Sequence, residues 1–295
     1  EKQEEPLTNR RFHMKTFYLI PAIALGLAAH PAAAQETAPP KAITVTGSVA
    51  VVSDYRLRGV SQSDKHAAVQ GGFTIAHESG FYVGTWGSSL AGWGTFGGAN
   101  MELDLIGGYK RSLGSGLTVD AGLTWYMYPG GASKSDFAEP FVKLSGTAGP
   151  VSALVGVAYA PKQQALGKWY DGAADYGLGT PTHPGAKNDN LYIWTDLSAA
   201  IPSTPLTAKA HLGHSDGNNG LGPNGTSAAP TGHYWDWMVG ADFVVKGTPL
   251  TLSAAWIDTD ISRSKSAYLW PNFASTKDGS SIAGSTALFS VTAAF

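Results

Sequence analysis

The sequence lacks cysteine, carries little charge, and contains no apolar run of the roughly 20 residues that a membrane-spanning helix needs. Without Cys, disulfides and thiolate metal sites are excluded. Charged residues make up 14% of the chain, well below the roughly 25% of average soluble proteins. The formal net charge of −2 is too small to predict a nucleic-acid partner.

Glycine and aromatic residues, by contrast, are abundant. The chain has 37 Gly, 9 Trp, 12 Tyr and 11 Phe. Little charge, many aromatic residues and the lack of a spanning helix together favour β structure in contact with lipid.

Residues 14–34 have the pattern of an export signal. Met14 and Lys15 open a short basic region, FYLIPAIALGLAA forms an apolar core, and AAAQ offers a small-residue cleavage site after Ala34. A membrane anchor is the alternative, but the apolar run is too short for one. We interpret residues 1–13 as an upstream extension or an expression remnant, and residues 35–42 as a short linker.

Residues 43–295 alternate between apolar and polar side chains in about twelve segments. In one of them Met101, Leu103 and Leu105 share a face, whereas Glu102 and Asp104 share the other. Such alternation is the period of a strand with different surroundings on its two sides. The predicted segments are 43–58, 67–78, 80–91, 100–112, 117–128, 137–147, 151–160, 190–201, 206–216, 233–246, 250–261 and 284–295.

The lengths of the connections distinguish a membrane barrel from a soluble sandwich. Connections after the even-numbered segments are tight (ESG, LGSG, TAGP, PSTP and KGTP), whereas those after the odd-numbered segments are longer. Outer-membrane barrels sort short turns to one end and long loops to the other. We therefore predict an all-β fold, a transmembrane up-and-down antiparallel barrel of about twelve strands.

The C-terminal stretch STALFSVTAAF predicts the closing strand, which pairs with the first strand and removes both sheet edges. It also resembles the C-terminal signal of bacterial outer-membrane proteins, whose final aromatic residue the assembly machinery recognises. This resemblance implies that Phe295 binds that machinery.

The stretch SDYRLRGVSQSDKHAAVQGGFTIAHESGFYVGTWGSSL resembles the opening of the proteobacterial Gcw_chp family, also described as TorF-like porins. ELDLIGGY and LTWYMYP continue the match, which is dense over about 47–129 and thins towards the C terminus. The residues that carry it are Asp54, Tyr55, Arg56, Arg58, Gly59, Ser61, Gln62, Gln70, Gly71, Gly72, His77, Ser79, Gly80, Phe81, Tyr82, Gly84, Trp86 and Ser88. The resemblance implies an exported barrel in the bacterial outer membrane, and it carries no catalytic residues over.

Twelve strands predict a narrow lumen, because eight-stranded barrels are filled by side chains and barrels of 16–18 strands hold a water channel. We expect small polar or ionic solutes to pass through a lumen of mixed charge. The candidate lumen or constriction residues are Asp54, Arg56, Arg58, Glu102, Asp104, Lys110 and Asp120.

Arg56 and Arg58 allow two interpretations. They could form a constriction that selects anions or orients a carboxylated solute. Alternatively they neutralise Glu102, Asp104 or other lumen acids, which we favour because a narrow lumen leaves few charges unpaired.

Aromatic residues also have two predicted roles. Tyr126, Tyr128, Tyr192 and Trp194 fall on the polar side and could form a stacking platform for solutes. Lumen filling is the alternative. Aromatic residues at strand ends are instead expected to form interfacial girdles: Trp86, Trp125, Trp194, Trp235, Trp237 and Trp256.

The enzyme hypothesis is an outer-membrane lipid hydrolase, which needs Ser and His hydrogen-bonded on one face. His77 and Ser79 have suitable spacing but fall at a predicted short turn, and His211 and Ser215 lie four apart along a strand. We therefore expect no enzymatic activity.

A structural or adhesive barrel is the remaining alternative to a channel, and it would act through the long loops at 161–189, 217–232 and 262–283. We expect outer-membrane lipid and small solutes as partners. No nucleic acid, cofactor or metal is expected, because the eight His are scattered.

Overall fold

The alternating segments pair in sequence order and close into a twelve-stranded antiparallel barrel in the computed structural model, which describes residues 42–295. The strands are β1 (Ile43–Val52), β2 (Ala68–His77), β3 (Phe81–Ser89), β4 (Met101–Gly114), β5 (Leu117–Met127), β6 (Phe137–Ala148), β7 (Val151–Gln163), β8 (Asn188–Ala200), β9 (Leu206–Asp216), β10 (His233–Val244), β11 (Leu250–Thr259) and β12 (Thr286–Ala294). The predicted segments 1–13 and 14–34, and the linker up to residue 41, lie outside the described residues.

The barrel closes between its first and last strands. β12 pairs with β1 in antiparallel register, with Val49 opposite Ala293. At the edge of this seam the Gly47 amide donates to the Phe295 carbonyl at 2.8 Å, and the Phe295 amide donates to the Gly47 carbonyl at 2.9 Å. The predicted fold class and the predicted role of STALFSVTAAF as the closing strand are therefore confirmed.

The outer surface of the barrel is apolar. Outward-facing side chains that are more than half exposed come from strands all round the wall: Val45, Val51, Val69, Val83, Leu105, Val142, Val155, Val239, Trp256 and Phe289. Charged side chains on these strands face mainly inward. A closed barrel with an apolar belt satisfies every strand hydrogen bond without water, so this surface fits a lipid bilayer.

The two ends of the barrel differ, as the connection lengths predict. At the short-turn end, tight turns join β2 to β3, β4 to β5, β6 to β7, β8 to β9 and β10 to β11. The opposite end, called here the long-loop end, carries α1 (Ala173–Gly177), α2 (Arg263–Ser266) and the 3-10 turns Gly92–Thr95 and Ala267–Leu269. None of the helices within residues 42–295 has the length and apolarity needed to cross a membrane.

The largest departure from the predicted strands concerns the first one. The alternation predicts a strand over residues 43–58, but β1 ends at Val52. Residues 56–57 and 60–61 form a separate two-stranded hairpin. The tip of this hairpin is a sharp turn, since Arg58 and Gly59 both adopt positive φ (50° and 78°). A side chain at Gly59 would collide with Thr259 and Asp236, so the close approach requires glycine.

The orientation of β4 makes a matched pair of substitutions informative. Leu105 points outward and is 52% exposed, whereas its neighbour Ile106 points inward against Phe141 and Tyr192. Leu105→Arg should destabilise the barrel by about 2–4 kcal/mol if the residue lies near the bilayer midplane, because it places a cation in lipid. Ile106→Arg should lower the free energy of unfolding by less, because the lumen contains carboxylates. Urea unfolding in lipid vesicles measures both, and equal losses would contradict this orientation of β4.

Candidate functional site: a plug inside the barrel

The loop after β1 folds back into the lumen, and residues 54–66 are called here the plug. Asp54 holds its shape by accepting hydrogen bonds from Arg56 Nε at 2.8 Å, Ser61 Oγ at 2.5 Å and Ser63 Oγ at 3.1 Å. Both Asp54 and Arg56 are buried. The sequence placed Asp54, Arg56 and Arg58 on a strand wall, which is wrong. They lie on an inserted hairpin instead.

Arg58 joins the plug to several strands of the barrel wall. Its Nη2 atom donates to both carboxylate oxygens of Glu139 on β6, at 2.7 and 2.8 Å. The guanidinium also lies 4.2 Å from the ring centroid of Tyr192 on β8. From β10, the Tyr234 hydroxyl donates to the Arg58 carbonyl at 3.0 Å. Residue 58 therefore fills the lumen between β6, β8 and β10.

The electrostatics of Arg58 keep it charged despite burial. Burial alone would lower the pKa of Arg58, but the Glu139 carboxylate raises it, and the pKa stands above its ordinary value. An ion pair with this geometry, flanked by an aromatic face, favours Arg over Lys. The pair is a strong attachment for the plug.

Arg56 points the other way, towards the last loop. Its Nη1 atom donates to the carbonyls of Gly59 and Gly284, each at 2.9 Å. Both arginines are thus ion-paired, Arg56 with Asp54 and Arg58 with Glu139. The two acids that the sequence proposed by name as their partners, Glu102 and Asp104, are not the ones they pair with.

Glu102 and Asp104 lie on the lumen face of β4 and are completely buried. The Tyr55 hydroxyl of the plug donates to Glu102 Oε1 at 3.0 Å. Tyr126 donates instead to Glu139 Oε2 at 3.2 Å. Three carboxylates therefore share the region beneath the plug.

Ion pairs line the lumen towards the short-turn end. Lys143 Nζ lies 3.1 Å from Asp120 Oδ2, and the Tyr82 hydroxyl donates to Asp120 Oδ1 at 2.7 Å. Lys209 Nζ pairs with Asp242 Oδ2 at 2.8 Å. Lys110 faces the same region on β4, within electrostatic range of Asp120. The lumen thus carries both charge signs, mostly in pairs.

A histidine network on β8, β9 and β10 is not among the sites that the sequence predicts. His211 Nδ1 lies 2.6 Å from Asp196 Oδ1, and His211 Nε2 lies 3.1 Å from Asp236 Oδ1. Tyr192 completes the network at 2.8 Å from His211 Nε2. Asp196 and His211 are direct cross-strand partners, so a correct strand register would have revealed the pair. The partner of Arg58, Glu139, is not among them either.

The candidate stacking tyrosines are enclosed by other side chains. Tyr126 stacks on Phe137 and Tyr128 on Phe96, each with centroids 4.5 Å apart. Tyr192 lies under Arg58. Trp194, beside Tyr192, is only partly buried and its Nε1 donates to Asp196 Oδ2 at 3.0 Å.

Two of the predicted girdle residues face the lumen instead. Trp86 packs edge-on against Tyr55 of the plug, with centroids 5.4 Å apart, and Trp194 lines the inner wall. Their positions near strand ends suggest the girdle, although Trp194 is also expected on the polar side, and strand phase places both residues inside. The exposed, outward members of the girdle set are Trp125, Trp235, Trp237 and Trp256.

The long loops pack into a cap above the plug. Tyr170 and Leu221 exchange backbone hydrogen bonds at 2.9 and 3.0 Å, which ties two loops together. The plug itself is bound to the last loop, because the Ser61 amide donates to the Ile282 carbonyl at 2.9 Å. The apolar core of the cap contains Val60, Trp93, Tyr170, Ala173, Leu221, Ala229, Tyr234, Ile261, Leu269, Phe273, Ile282 and Ala283.

A surface cavity of about 470 Å³ opens on the cap. Its lining is polar and comes from three loops and the start of β10: Lys168, Asp171, Asn219, Thr231, His233, Lys265 and Tyr268. Lys168 Nζ lies 2.7 Å from Asp171 Oδ1. Its hydrogen bond lowers the pKa of the Asp171 carboxyl. The second ammonium of the lining, Lys265 Nζ, lies 3.3 Å from Asp260 Oδ2.

The two Ser–His pairs of the enzyme hypothesis differ in the structure. His77 Nδ1 contacts Ser79 Oγ at 2.8 Å in an exposed short turn. His211 is engaged by Asp196 and Asp236 rather than by Ser215.

The burial of the Arg58–Glu139 pair predicts a large effect of breaking it. Arg58→Ser should lower the free energy of unfolding by about 3–5 kcal/mol, because Glu139 is left buried and unpaired. Combining it with Glu139→Gln should restore part of that loss. Arg263→Ser, which removes an Arg stacked on Trp270 at the cap, serves as the matched control and should cost about 0.5–1 kcal/mol. Urea titration in detergent followed by Trp fluorescence measures all three, and equal losses in Arg58→Ser and the control would refute the role of the pair.

The chain is similar to several solved structures and matches one family model. Solved structures with a similar fold include a KdgM porin in complex with disordered oligogalacturonate (TM-score 0.47, 5% identity, covering 85% of this chain and 98% of that one). Salmonella typhi OmpF in complex with daunomycin has a TM-score of 0.40 and 10% identity, and the match covers 86% of this chain and 97% of that one. The outer membrane protein opdK from Pseudomonas aeruginosa has a TM-score of 0.41 and 14% identity, and the match covers 88% of this chain and 68% of that one. No curated protein matches the chain. The family described as "Bacterial protein of unknown function (Gcw_chp)" matches residues 34–295. The chain therefore belongs to the Gcw_chp family.

Proposed function

We propose that the protein is an outer-membrane channel of the porin kind, which passes small polar or ionic solutes through a narrow lumen of mixed charge. The observation that carries the proposal is the Arg58 bridge across the lumen. A purely structural barrel could fill its interior with apolar side chains. This lumen instead contains ion pairs, and a hairpin is inserted into it from the long-loop end.

The plug makes the proposed channel a gated one. Its hydrogen bonds to the wall are Arg58 to Glu139, Tyr55 to Glu102 and Tyr234 to the Arg58 carbonyl. Two ring contacts accompany them, Tyr55 with Trp86 and Arg58 with Tyr192. Polar attachments can be exchanged for water, so movement of the plug would open the lumen without unfolding the barrel. Conductance is therefore expected to be low and intermittent in the wild type.

Planar-bilayer recording of the purified barrel tests the proposal. Wild type should show small, brief openings, and Arg58→Ser should open more often, because it releases the plug from β6 and β8. The reversal potential of Arg58→Ser should also move towards cations, because the Glu139 charge is no longer neutralised. The control Arg263→Ser should behave as wild type. A lack of openings in every variant over a wide voltage range would end the channel proposal.

An engineered disulfide between the plug and residue 91 distinguishes movement of the plug from a general loosening of the barrel. Ser63 of the plug and Ala91 are bridge partners in adjacent extended segments. Neighbouring extended segments lie about 4.7–4.9 Å apart, within the Cα separation that a disulfide spans, and the chain has no other cysteine. In the triple variant Arg58→Ser/Ser63→Cys/Ala91→Cys, the additional openings should disappear when the two cysteines are oxidised to a disulfide. They should return when the disulfide is reduced.

We also propose that Phe295 is the contact for the outer-membrane assembly machinery. Its backbone completes the barrel seam, yet its side chain is 73% exposed at the short-turn end. Deleting Phe295 should reduce the fraction of protein that shows heat-modifiable gel mobility in cells. The yield of the same variant on refolding from urea into detergent should fall less. An equal fall in cells and in detergent would mean that Phe295 acts through the barrel seam rather than through the assembly machinery.

A second candidate function, ligand binding by the long loops, is favoured by the cavity on the cap. Its ammonium groups and the half-exposed ring of Tyr268 suit an acidic saccharide. Calorimetric titration with an acidic and a neutral oligosaccharide tests this, with Lys168→Gln/Lys265→Gln expected to weaken binding of the acidic one alone. Equal affinity for both sugars, or for wild type and variant, would argue against it.

A further inference from the structure

Trp194 differs from the other candidate stacking residues in its access to the lumen. Tyr126, Tyr128 and Tyr192 are buried, whereas Trp194 is only partly buried. Trp194 lies on the inner face of β8, two residues beyond Tyr192 in the direction of the short-turn end. Because Arg58 of the plug covers the Tyr192 ring, Trp194 lies just below the plug.

The glycine opposite Trp194 allows its indole ring to lie flat against the barrel wall. Gly156 on β7 is the direct cross-strand partner of Trp194. A Cβ atom at Gly156 would collide with the indole atoms Cζ2, Cε2 and Cη2, at nearly equal distances from the three. Three neighbouring ring atoms are nearly equidistant from a point only when the ring turns its face towards that point. One face of the indole therefore covers Gly156.

The second face of the indole is directed into the lumen. The nitrogen edge of the ring is occupied, since Trp194 Nε1 donates to Asp196 Oδ2 at 3.0 Å. The Tyr192 ring is nearly parallel to the indole, with 20° between the planes and 5.4 Å between the centroids. The exposure that Trp194 retains therefore comes from the face opposite Gly156. An aromatic face within reach of water is a surface that a ring-shaped solute can cover.

A carboxylate with free acceptor capacity lies at the rim of this face. The Asp196 side chain is 45% exposed. Its Oδ2 accepts from Trp194 Nε1, and its Oδ1 lies 2.6 Å from His211 Nδ1. Each oxygen of a carboxylate can accept two hydrogen bonds, so both oxygens of Asp196 can accept a further one from a solute hydroxyl. The aromatic face and the acceptors come from two residues that are fixed on the same strand.

The charges around this site give no net preference for an ionic solute. Lys143 and Lys209 are within electrostatic range of Asp196. Each lysine also pairs with a second acid, Lys143 with Asp120 and Lys209 with Asp242. A cationic solute would approach the lysines, and an anionic solute would approach the carboxylates. A neutral solute that carries hydroxyl groups avoids both repulsions.

We propose that Trp194 and Asp196 form a binding site for a neutral pyranose ring on the short-turn side of the plug. The C–H face of the sugar stacks on the open face of the indole, and its hydroxyl groups donate to the Asp196 carboxylate. The inference deepens the proposed function, on which it rests, because it names a solute class for the lumen. Binding itself does not require conduction, so the two can be measured separately.

Saturation-transfer NMR on the purified full barrel measures binding directly. The probe is maltotriose, a neutral glucose trimer, and the barrel is kept in a zwitterionic detergent, because its headgroup contains no sugar. Wild type should transfer saturation to the C–H protons of maltotriose. Trp194→Ala should raise the dissociation constant about ten-fold, since it removes the stacking contact. The matched control Trp125→Ala removes an outward indole and should bind maltotriose as wild type does.

Gly156→Ala tests the flat geometry while the indole is kept. The added Cβ must displace the ring from the wall, so the affinity for maltotriose should fall as it does in Trp194→Ala. Gly107→Ala is the matched control, because a Cβ there would meet its nearest neighbour, the Tyr82 carbonyl oxygen, at 4.0 Å. It should leave the affinity unchanged. Heat-modifiable gel mobility shows whether each variant is folded, and Trp194→Ala carries the test if Gly156→Ala is not.

Three results would overturn the proposal. The first is a wild type that transfers no saturation to maltotriose, and the second is equal affinity in wild type and Trp194→Ala. The third is a larger transfer to the cationic probe choline chloride that Trp194→Ala removes. A loss of affinity in Lys168→Gln/Lys265→Gln but not in Trp194→Ala would also overturn it, because the sugar would then occupy the cavity on the cap.

Bilayer recording separates failure of this site from failure of the channel. A wild type that binds maltotriose through Trp194 yet shows no openings would leave the site standing and refute the channel. Openings in a barrel that does not bind maltotriose would leave the channel standing and refute the site.

Discussion

The structure depends on one constraint, the satisfaction of every strand hydrogen bond without help from water. In lipid an unpaired amide or carbonyl is costly, so a sheet can persist only when its edges meet. β12 meets that demand by pairing with β1, and the backbone of the terminal Phe295 completes the seam against Gly47. The outward apolar belt and the inward polar face follow, because the side chains of each strand alternate.

Closure of twelve strands creates an interior too wide for the wall side chains to fill and too narrow for many unpaired charges. The plug occupies part of this interior and pairs with polar groups of the wall. Its Arg58 reaches Glu139 and Tyr192, its Tyr55 reaches Glu102 and Trp86, and its backbone is held by Tyr234. A single hairpin therefore couples opposite sides of the wall, and the cap of long loops packs on its outer side.

The distribution of charge inside the lumen connects the fold to the proposed function. Below the plug, lysines and acids on neighbouring strands pair with one another, as Lys143 does with Asp120 and Lys209 with Asp242. Beside the plug the balance is acidic. Pairing keeps most of the interior neutral, while Glu102 and Asp104 place two buried carboxyl groups at one level of the barrel.

The sequence by itself determined the barrel, because strand alternation, turn chemistry and the sorting of connection lengths are local properties that a chain displays without folding. It could not determine the plug. Asp54, Arg56 and Arg58 alternate as a strand would, but β1 ends at Val52 and these residues fold inward as a hairpin that turns at Arg58–Gly59. The partner of Arg58 lies 81 residues away, and that of His211 depends on strand register. Such pairings are set by closure and packing, so tertiary structure alone decided them.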